Sequence, residues 1–264
     1  MEHEALVRLA VFGGLFALLA LVETRWPRRP RQQPRGRRWI TNWSIVVLDT
    51  LTLRLVAIAL PLLAVGAAYD AASRGWGLFN IVEMPVWLEL GLAMLILDFL
   101  IWAQHLITHK LPVLWRLHRV HHADLDMDVT TAIRFHPVEI ALSMLLKIGA
   151  VYALGPSALA VILFEILLNG SAMFNHANLR LPGWLDRYIR LILVTPDMHR
   201  VHHSVLRAEH DSNYGFALSI WDRAFGTYRA QPMDGHLEMD IGLHWRDERP
   251  SRLLWSLQLP FRRK

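Results

Sequence analysis

Five stretches of this chain, residues 5–22, 40–68, 86–103, 138–153 and 158–174, are apolar over lengths that approach a bilayer's thickness when wound as helix. Lipid offers no hydrogen bonds, so a backbone that crosses it must satisfy its own amides, and a helix does this within one segment. The expected fold class is therefore all-α: an integral membrane helical bundle with four to five spans. The count is four to five because 138–153 and 158–174 are short enough to form a re-entrant pair. They meet at Leu154-Gly155-Pro156-Ser157, a turn signal, and a Gly-containing loop around residues 74–77 separates the second block from the third.

Charge orients the bundle. Seven arginines crowd into residues 25–38, directly after the first apolar block, and Pro27, Pro30 and Pro34 bar an unbroken helix there. Such a flank belongs on the cytoplasmic side, which also explains the net charge of +5 without nucleic acid. Met1-Glu2-His3-Glu4 is acidic where a signal peptide is basic, so the first block is expected to be a retained helix. With the arginine loop inside and five crossings, every loop rich in histidine, and the C terminus, falls on that same side. Asp49, Arg54, Asp98, Glu139, Lys147 and Glu165 interrupt the apolar blocks and are expected to face the bundle interior or a polar cavity. The division expected is 1–97, transmembrane helices with a basic cytosolic loop; 98–230, a catalytic unit; and 231–264, a C-terminal cytosolic tail.

The chain has no cysteine and 14 histidines, so a metal here would be held by nitrogen and oxygen. The histidines cluster. His105 and His109 form an HxxxH pattern, His118, His121 and His122 an HxxHH pattern, and His199, His202 and His203 a second HxxHH. Positions i, i+3 and i+4 share a helix face, so each pattern is expected to aim two or three imidazoles at a common point. Eight imidazoles exceed the needs of one ion; two metals with about four each is the economical reading. His176, where the fifth block leaves the membrane, is expected to be a ninth ligand. His136, before Pro137, suits a helix start, and His210 suits the margin of the site. His3, His236 and His244 are isolated and expected in solvent. Imidazole alone does not separate iron from zinc, copper or nickel. No histidine opens the HExxH pattern of a metallopeptidase, and a metal carrier would place ligands at the bilayer midplane.

The order HxxxH, HxxHH, HxxHH resembles the fatty-acid hydroxylase superfamily, which includes sterol desaturases, sterol methyl oxidases, carotenoid hydroxylases and alkylglycerol monooxygenase. The likeness extends from Asp98 through Leu114-Trp115-Arg116-Leu117-His118 and Thr130-Thr131-Ala132-Ile133-Arg134-Phe135-His136-Pro137 to Trp221-Asp222-Arg223-Ala224-Phe225-Gly226-Thr227, about half the chain. It departs at Ala172, where some hydroxylases of this type have a further histidine four residues before the equivalent of His176.

What the resemblance implies is a di-iron oxygenase. Two iron ions would be held by His105, His109, His118, His121, His122, His176, His199, His202 and His203, and dioxygen and two electrons would be consumed in hydroxylating or desaturating a lipid such as a fatty acyl chain or sterol. Alternatives are ether-lipid oxidation of the alkylglycerol type, which the segment Leu125-Asp126-Met127-Asp128-Val129-Thr130-Thr131-Ala132 also resembles, and a non-catalytic zinc-binding membrane protein. The chain has no Gly-rich dinucleotide fingerprint, so electrons would come from an external ferredoxin, cytochrome or reductase. Asp98, Asp197, Asp211 and Asp222 are candidates to accept the second N–H of ligating imidazoles. Trp102, Trp115, Trp184 and Trp221 are expected in an interfacial belt. The arginine-rich, lysine-poor composition points to a bacterial inner membrane, with the metal site cytosolic.

Overall fold

The computed structural model describes residues 4–59 and 63–262, and among them every extended element is a helix, with isolated bridges but no strand. In chain order the helices that place the site are α1 (Glu4–Arg25), α2 (Arg35–Ala59), α3 (Ala64–Arg74), α4 (Leu78–Ile81), α5 (Val86–Lys110), α6 (Pro112–His122), α7 (Pro137–Leu154), α8 (Ala158–His176), α9 (Gly183–Ile189) and α10 (Pro196–His202). Five of them, α1, α2, α5, α7 and α8, are long and apolar enough to span a membrane. Their outward faces carry exposed Leu6, Leu21, Ile58, Val86 and Leu146, which lipid rather than water would cover. The protein is an integral membrane protein.

Two boundaries differ from the hydropathy reading. The block at 40–68 divides into α2 and α3, and the sequence carries Pro61 between them, a residue without the N–H that a helix interior needs. The third block continues past residue 103 to Lys110, so His105 and His109 stand on the last turns of a spanning helix rather than in a polar segment beyond it. His3 and Lys264 lie outside the described residues. Of the ionisable residues inside the blocks, Asp49, Asp98 and Glu165 are buried, and Glu139 and Lys147 are partly so; Arg54 is exposed, contrary to expectation.

At one end the bundle is closed by backbone contact. Gly77 and Gly155 have φ of +95° and +65°, and a Cβ on Gly77 would lie 2.2 Å from the Gly155 nitrogen, so only glycine lets the 75–77 loop meet the α7–α8 turn. At the other end sits a cap built by α6, α10, the loops after them and the segment 231–262. Met239, Ile241, Leu243, Trp255 and Leu259 of that segment are buried, and the Gly242 N–H donates to the His203 carbonyl at 3.0 Å.

The arginine-rich loop is docked on this cap. Arg28 pairs with Asp197, and Arg29 donates to the carbonyls of His236 and Met239 (the latter at 2.6 Å). The Gln32 and Gln33 amides donate to the Asp126 carboxylate. Arg38, 1% exposed, grips Asp124 through Nε and Nη2, Asp128 through Nη1 and the Asp126 carbonyl. Burial alone would raise the Asp124 pKa, but the Arg38 guanidinium outweighs it and holds it at about 2. The loop and the histidine-bearing cap thus share one side of the bundle.

Candidate metal centre

Nine histidines converge under the cap in two groups. His105, His109, His118, His122 and His202 form one; His121, His176, His199 and His203 form the other, and within each group the offered nitrogens lie within 4.8 Å of one another. The helices supply them at their ends. The last turns of α5 carry His105 and His109, α8 ends on His176, and α6, started by Pro112, carries the first HxxHH. Thr195 caps α10 by accepting the Met198 N–H at 3.3 Å, and Pro196 follows at N1, so the second HxxHH starts from a fixed helix end.

The HxxHH patterns do not each aim at one point, as the helical spacing alone implied. In α6 the i and i+4 residues, His118 and His122, join the first group while His121 joins the second; in α10 His199 and His203 join the second while His202 joins the first. Each motif straddles both groups. They abut across stacked rings, His122 on His203 at 4.6 Å and His199 on His202 at 4.9 Å between centroids. The division is five and four rather than four and four.

The donor atoms fit metal ions. His105 and His118 approach through Nε2 at 3.0 Å, and Nε2 of His176 lies 3.1 Å from those of His121 and His199 and 3.2 Å from that of His203. Nitrogens that share an ion at about 2.0–2.1 Å span such separations. Both ring nitrogens of His109 and His122 and Nε2 of His202 are buried with no hydrogen-bond partner, so each of these three rings has a nitrogen that needs an unseen partner such as a metal. Burial, reinforced by the neighbouring imidazoles, lowers the pKa values of His121, His122, His199 and His203 well below the usual histidine value, and His202 follows from burial and His105. At neutral pH these rings are in the neutral form that binds metal.

The rear nitrogens fix the tautomers. Nδ1 of His105, His176 and His202 each donates at 2.7 Å to a backbone carbonyl, of Tyr214, Ala172 and Ser212. Ala172 thus serves His176 through its backbone. His118 Nδ1 donates to Glu139 Oε1 at 2.6 Å. None of the four aspartates expected in this role bonds a clustered ring. Asp211 comes nearest, 3.7 Å from His109 Nδ1, while Asp98 accepts from Trp221, Asp197 pairs with Arg28 and Arg200, and Asp222 accepts from Trp102 and the amides of Tyr214 and Gly215. Glu139 was visible in the sequence only as a charge in an apolar block.

The outlying histidines divide. His136 stands apart from both groups and caps α7, accepting the Val138 N–H at 3.2 Å. His210 stacks on Trp115 and donates to the Ser204 carbonyl. His244 is exposed as expected; His236 is buried instead, 3.7 Å from Asp197. Among the four tryptophans, Trp184 alone is largely exposed. Trp102 is buried in the cap–bundle junction, Trp221 donates to Asp98, and Trp115 packs on His109 and His122.

A cavity of about 170 Å³ opens from His105 and His118 between α5, α7 and α8, walled by Phe135, Phe216, Ala132 and Ala172 near the rings. Phe135 lies flat on His121, with centroids 4.5 Å apart. The arrangement can hold metal under a lid of protein while admitting an apolar ligand from the bundle side.

The sequence matches the family described as fatty acid hydroxylase over residues 90–227. It is 27% identical to an ornithine lipid hydroxylase of Rhizobium tropici, over 96% of this chain and 75% of that protein. It is 31% identical to the human alkylglycerol monooxygenase, over 60% of this chain and 34% of that protein, and 25% identical to a cholesterol 25-hydroxylase-like protein of Danio rerio, over 86% and 94%. The chain thus spans about a third of the human alkylglycerol monooxygenase. No solved structure matches it significantly.

Proposed function

The chain belongs to the fatty acid hydroxylase family, and from that membership we propose that it is a membrane-bound di-iron oxygenase that hydroxylates, or desaturates, a lipid chain with dioxygen and two external electrons. The observation that carries the reading is the pair of abutting, buried histidine groups, the first of which lines a cavity between the spanning helices through His105 and His118. His105, His109, His118, His122 and His202 would hold one iron, and His121, His176, His199 and His203 the other. When bound, the iron pair supplies the activation of dioxygen toward a C–H bond.

The chain's own residues do the rest. Glu139 and the carbonyls of Tyr214, Ala172 and Ser212 hold four rings with Nε2 turned inward. Phe135 and Phe216 line the cavity and lie against His121 and His105, giving the rings an apolar surround. We take residues 98–230 as the catalytic unit, 1–97 as the membrane anchor and strap, and 231–264 as the tail that completes the cap. The arginine loop favours the cytoplasmic side for the cap, and so for the electron donor, a ferredoxin, cytochrome or reductase; a bacterial inner membrane suits the composition.

The similarity to alkylglycerol monooxygenases supports a second reading, oxidation beside an ether oxygen. Lipid profiling of cells with and without the protein separates the two by the product formed. The first test is metal analysis with Mössbauer spectroscopy on protein purified from iron-57 medium. Two coupled irons per chain, lost together with turnover in His121→Ala and His202→Ala, are expected. Stoichiometric zinc without iron after anaerobic reconstitution would overturn the oxygenase and favour a metal-binding role.

A further inference from the structure

The cavity that opens at His105 and His118 changes character with depth. Near the rings it is walled by aromatic and small residues together with Gln104, which directly precedes His105, and Ser143, while Lys147 on α7 and Asn169 on α8 line it farther from the helix ends that carry the histidines. These side chains come from three different spanning helices, α5, α7 and α8. On α7, Glu139, Ser143 and Lys147 follow at i, i+4 and i+8 and so form one stripe down the cavity wall. Polar groups at such depth in a bilayer are costly unless they serve one another or a ligand.

Their mutual bonds leave a definite remainder. Lys147 Nζ donates to Glu165 Oε1 at 2.8 Å, and Glu165 also pairs with Arg8. Among the described residues that is the only hydrogen bond of Nζ, which has three N–H groups. Ser143 Oγ donates to Gln104 Oε1 at 3.3 Å, so these two polar groups beside the rings serve one another. Asn169 spends Nδ2 on the Glu165 carbonyl. The deep cavity therefore has donors to spare from Lys147.

We infer that Lys147 anchors a carbonyl-type oxygen of the substrate, a carboxylate or an amide, and so sets which stretch of the lipid chain lies at the histidines. The inference rests on the reading of this cavity as the lipid's seat. Lys147 lies eight residues beyond Glu139 on α7, about 12 Å at 1.5 Å per residue, and Glu139 holds His118. The anchored oxygen and the exposed C–H are therefore separated by a chain of about that length. A lipid without such an oxygen would lie in the cavity unregistered.

The test is binding to the purified full-length protein, read by displacement of a fluorescent polyene lipid so that no turnover is needed, with palmitate, palmitamide and hexadecane as probes. In Lys147→Met, whose Glu165 keeps Arg8, palmitate and palmitamide should bind roughly tenfold more weakly or worse, as expected for loss of a hydrogen bond from a charged donor. Hexadecane should bind as it does to the parent, and Lys147→Arg should restore much of the loss. Equal affinity of parent and Lys147→Met for all three, or equal weakening of hexadecane, would overturn the anchor. Intact discrimination by a protein that never turns over would sink the oxygenase reading and leave the anchor standing.

Discussion

Arg38→Met is the perturbation with the largest effect that the structure allows to be worked out in advance. The guanidinium is 1% exposed and Asp124 and Asp128 are 2% and 1% exposed, so methionine would leave two carboxylates in the protein interior without their cation. Breaking a buried pair in this way costs about 3–5 kcal/mol, whereas an exposed pair is worth about 0–1. Arg37, one residue earlier, pairs with Glu248 at half exposure and serves as the matched control. Unfolding in detergent followed by tryptophan fluorescence should show Arg38→Met far below parent and Arg37→Met beside it. The deficit should also depend on pH. In the parent, Asp124 is held near 2, so its contribution is complete above about 4 and is lost only as pH falls toward 2. Without Arg38, burial raises that carboxyl, the folded variant takes up a proton before the unfolded chain does, and the deficit shrinks as pH falls from 7 to 5. Adding Asp124→Asn and Asp128→Asn to Arg38→Met should recover most of the stability, since uncharged residues need no counter-ion. If Arg38→Met unfolds with Arg37→Met, the strap contributes no more than a surface contact and the reasoning fails.

Three further outcomes are expected. The depressed pKa values of His121, His122, His199, His202 and His203 mean that the unfolded chain binds protons which the folded chain refuses below about 6.5. Stability and bound metal should therefore be full above that pH and fall together below it, as measured by metal retained after dialysis from pH 8 to 4; retention unchanged at pH 4 would contradict this. Glu139→Gln should weaken metal retention against a chelator by about tenfold or more through the orientation of His118, while His136→Ala should cost about 1 kcal/mol of stability as a lost helix cap and leave retention alone. In sealed membranes of a chain that otherwise lacks cysteine, Arg37→Cys and Arg207→Cys should be labelled from one side and Ser73→Cys from the other; labelling of all three from one side would refute the five-span arrangement.

Much of this was legible in the residues because one physical demand dominated each signal. Apolar length announced the spanning helices, and helical spacing announced the histidines, since both depend on local geometry that sequence encodes directly. His176 stands out by its place at the end of an apolar block, and α8 ends on it beside the other rings. The interleaving of the two HxxHH motifs was not legible, because spacing gives a face of a helix but not what the neighbouring helix presents to it. Glu139 and the carbonyls of Tyr214, Ala172 and Ser212 were missed for the same reason; backbone acceptors leave no mark on a sequence, and the four aspartates that seemed suited to the task are engaged with arginines, tryptophans or amides instead. His236 was misjudged because an isolated histidine carries no sign of the segment that will fold over it.

The enclosure of the histidines has a kinetic consequence. All nine are at most 4% exposed, and the cap over them is fastened at one margin by the strap before α2 and at another by the chain's final segment, where Arg134 donates to the Pro250 carbonyl and Ser256. An ion cannot pass through such a wall while it is shut, so entry and escape must wait for a local opening of the cap. The rate of metal exchange then measures how often the strap or the tail lets go. A chain that closed its cap over one ion would exchange it slowly, and its choice of metal would be made during synthesis rather than at equilibrium.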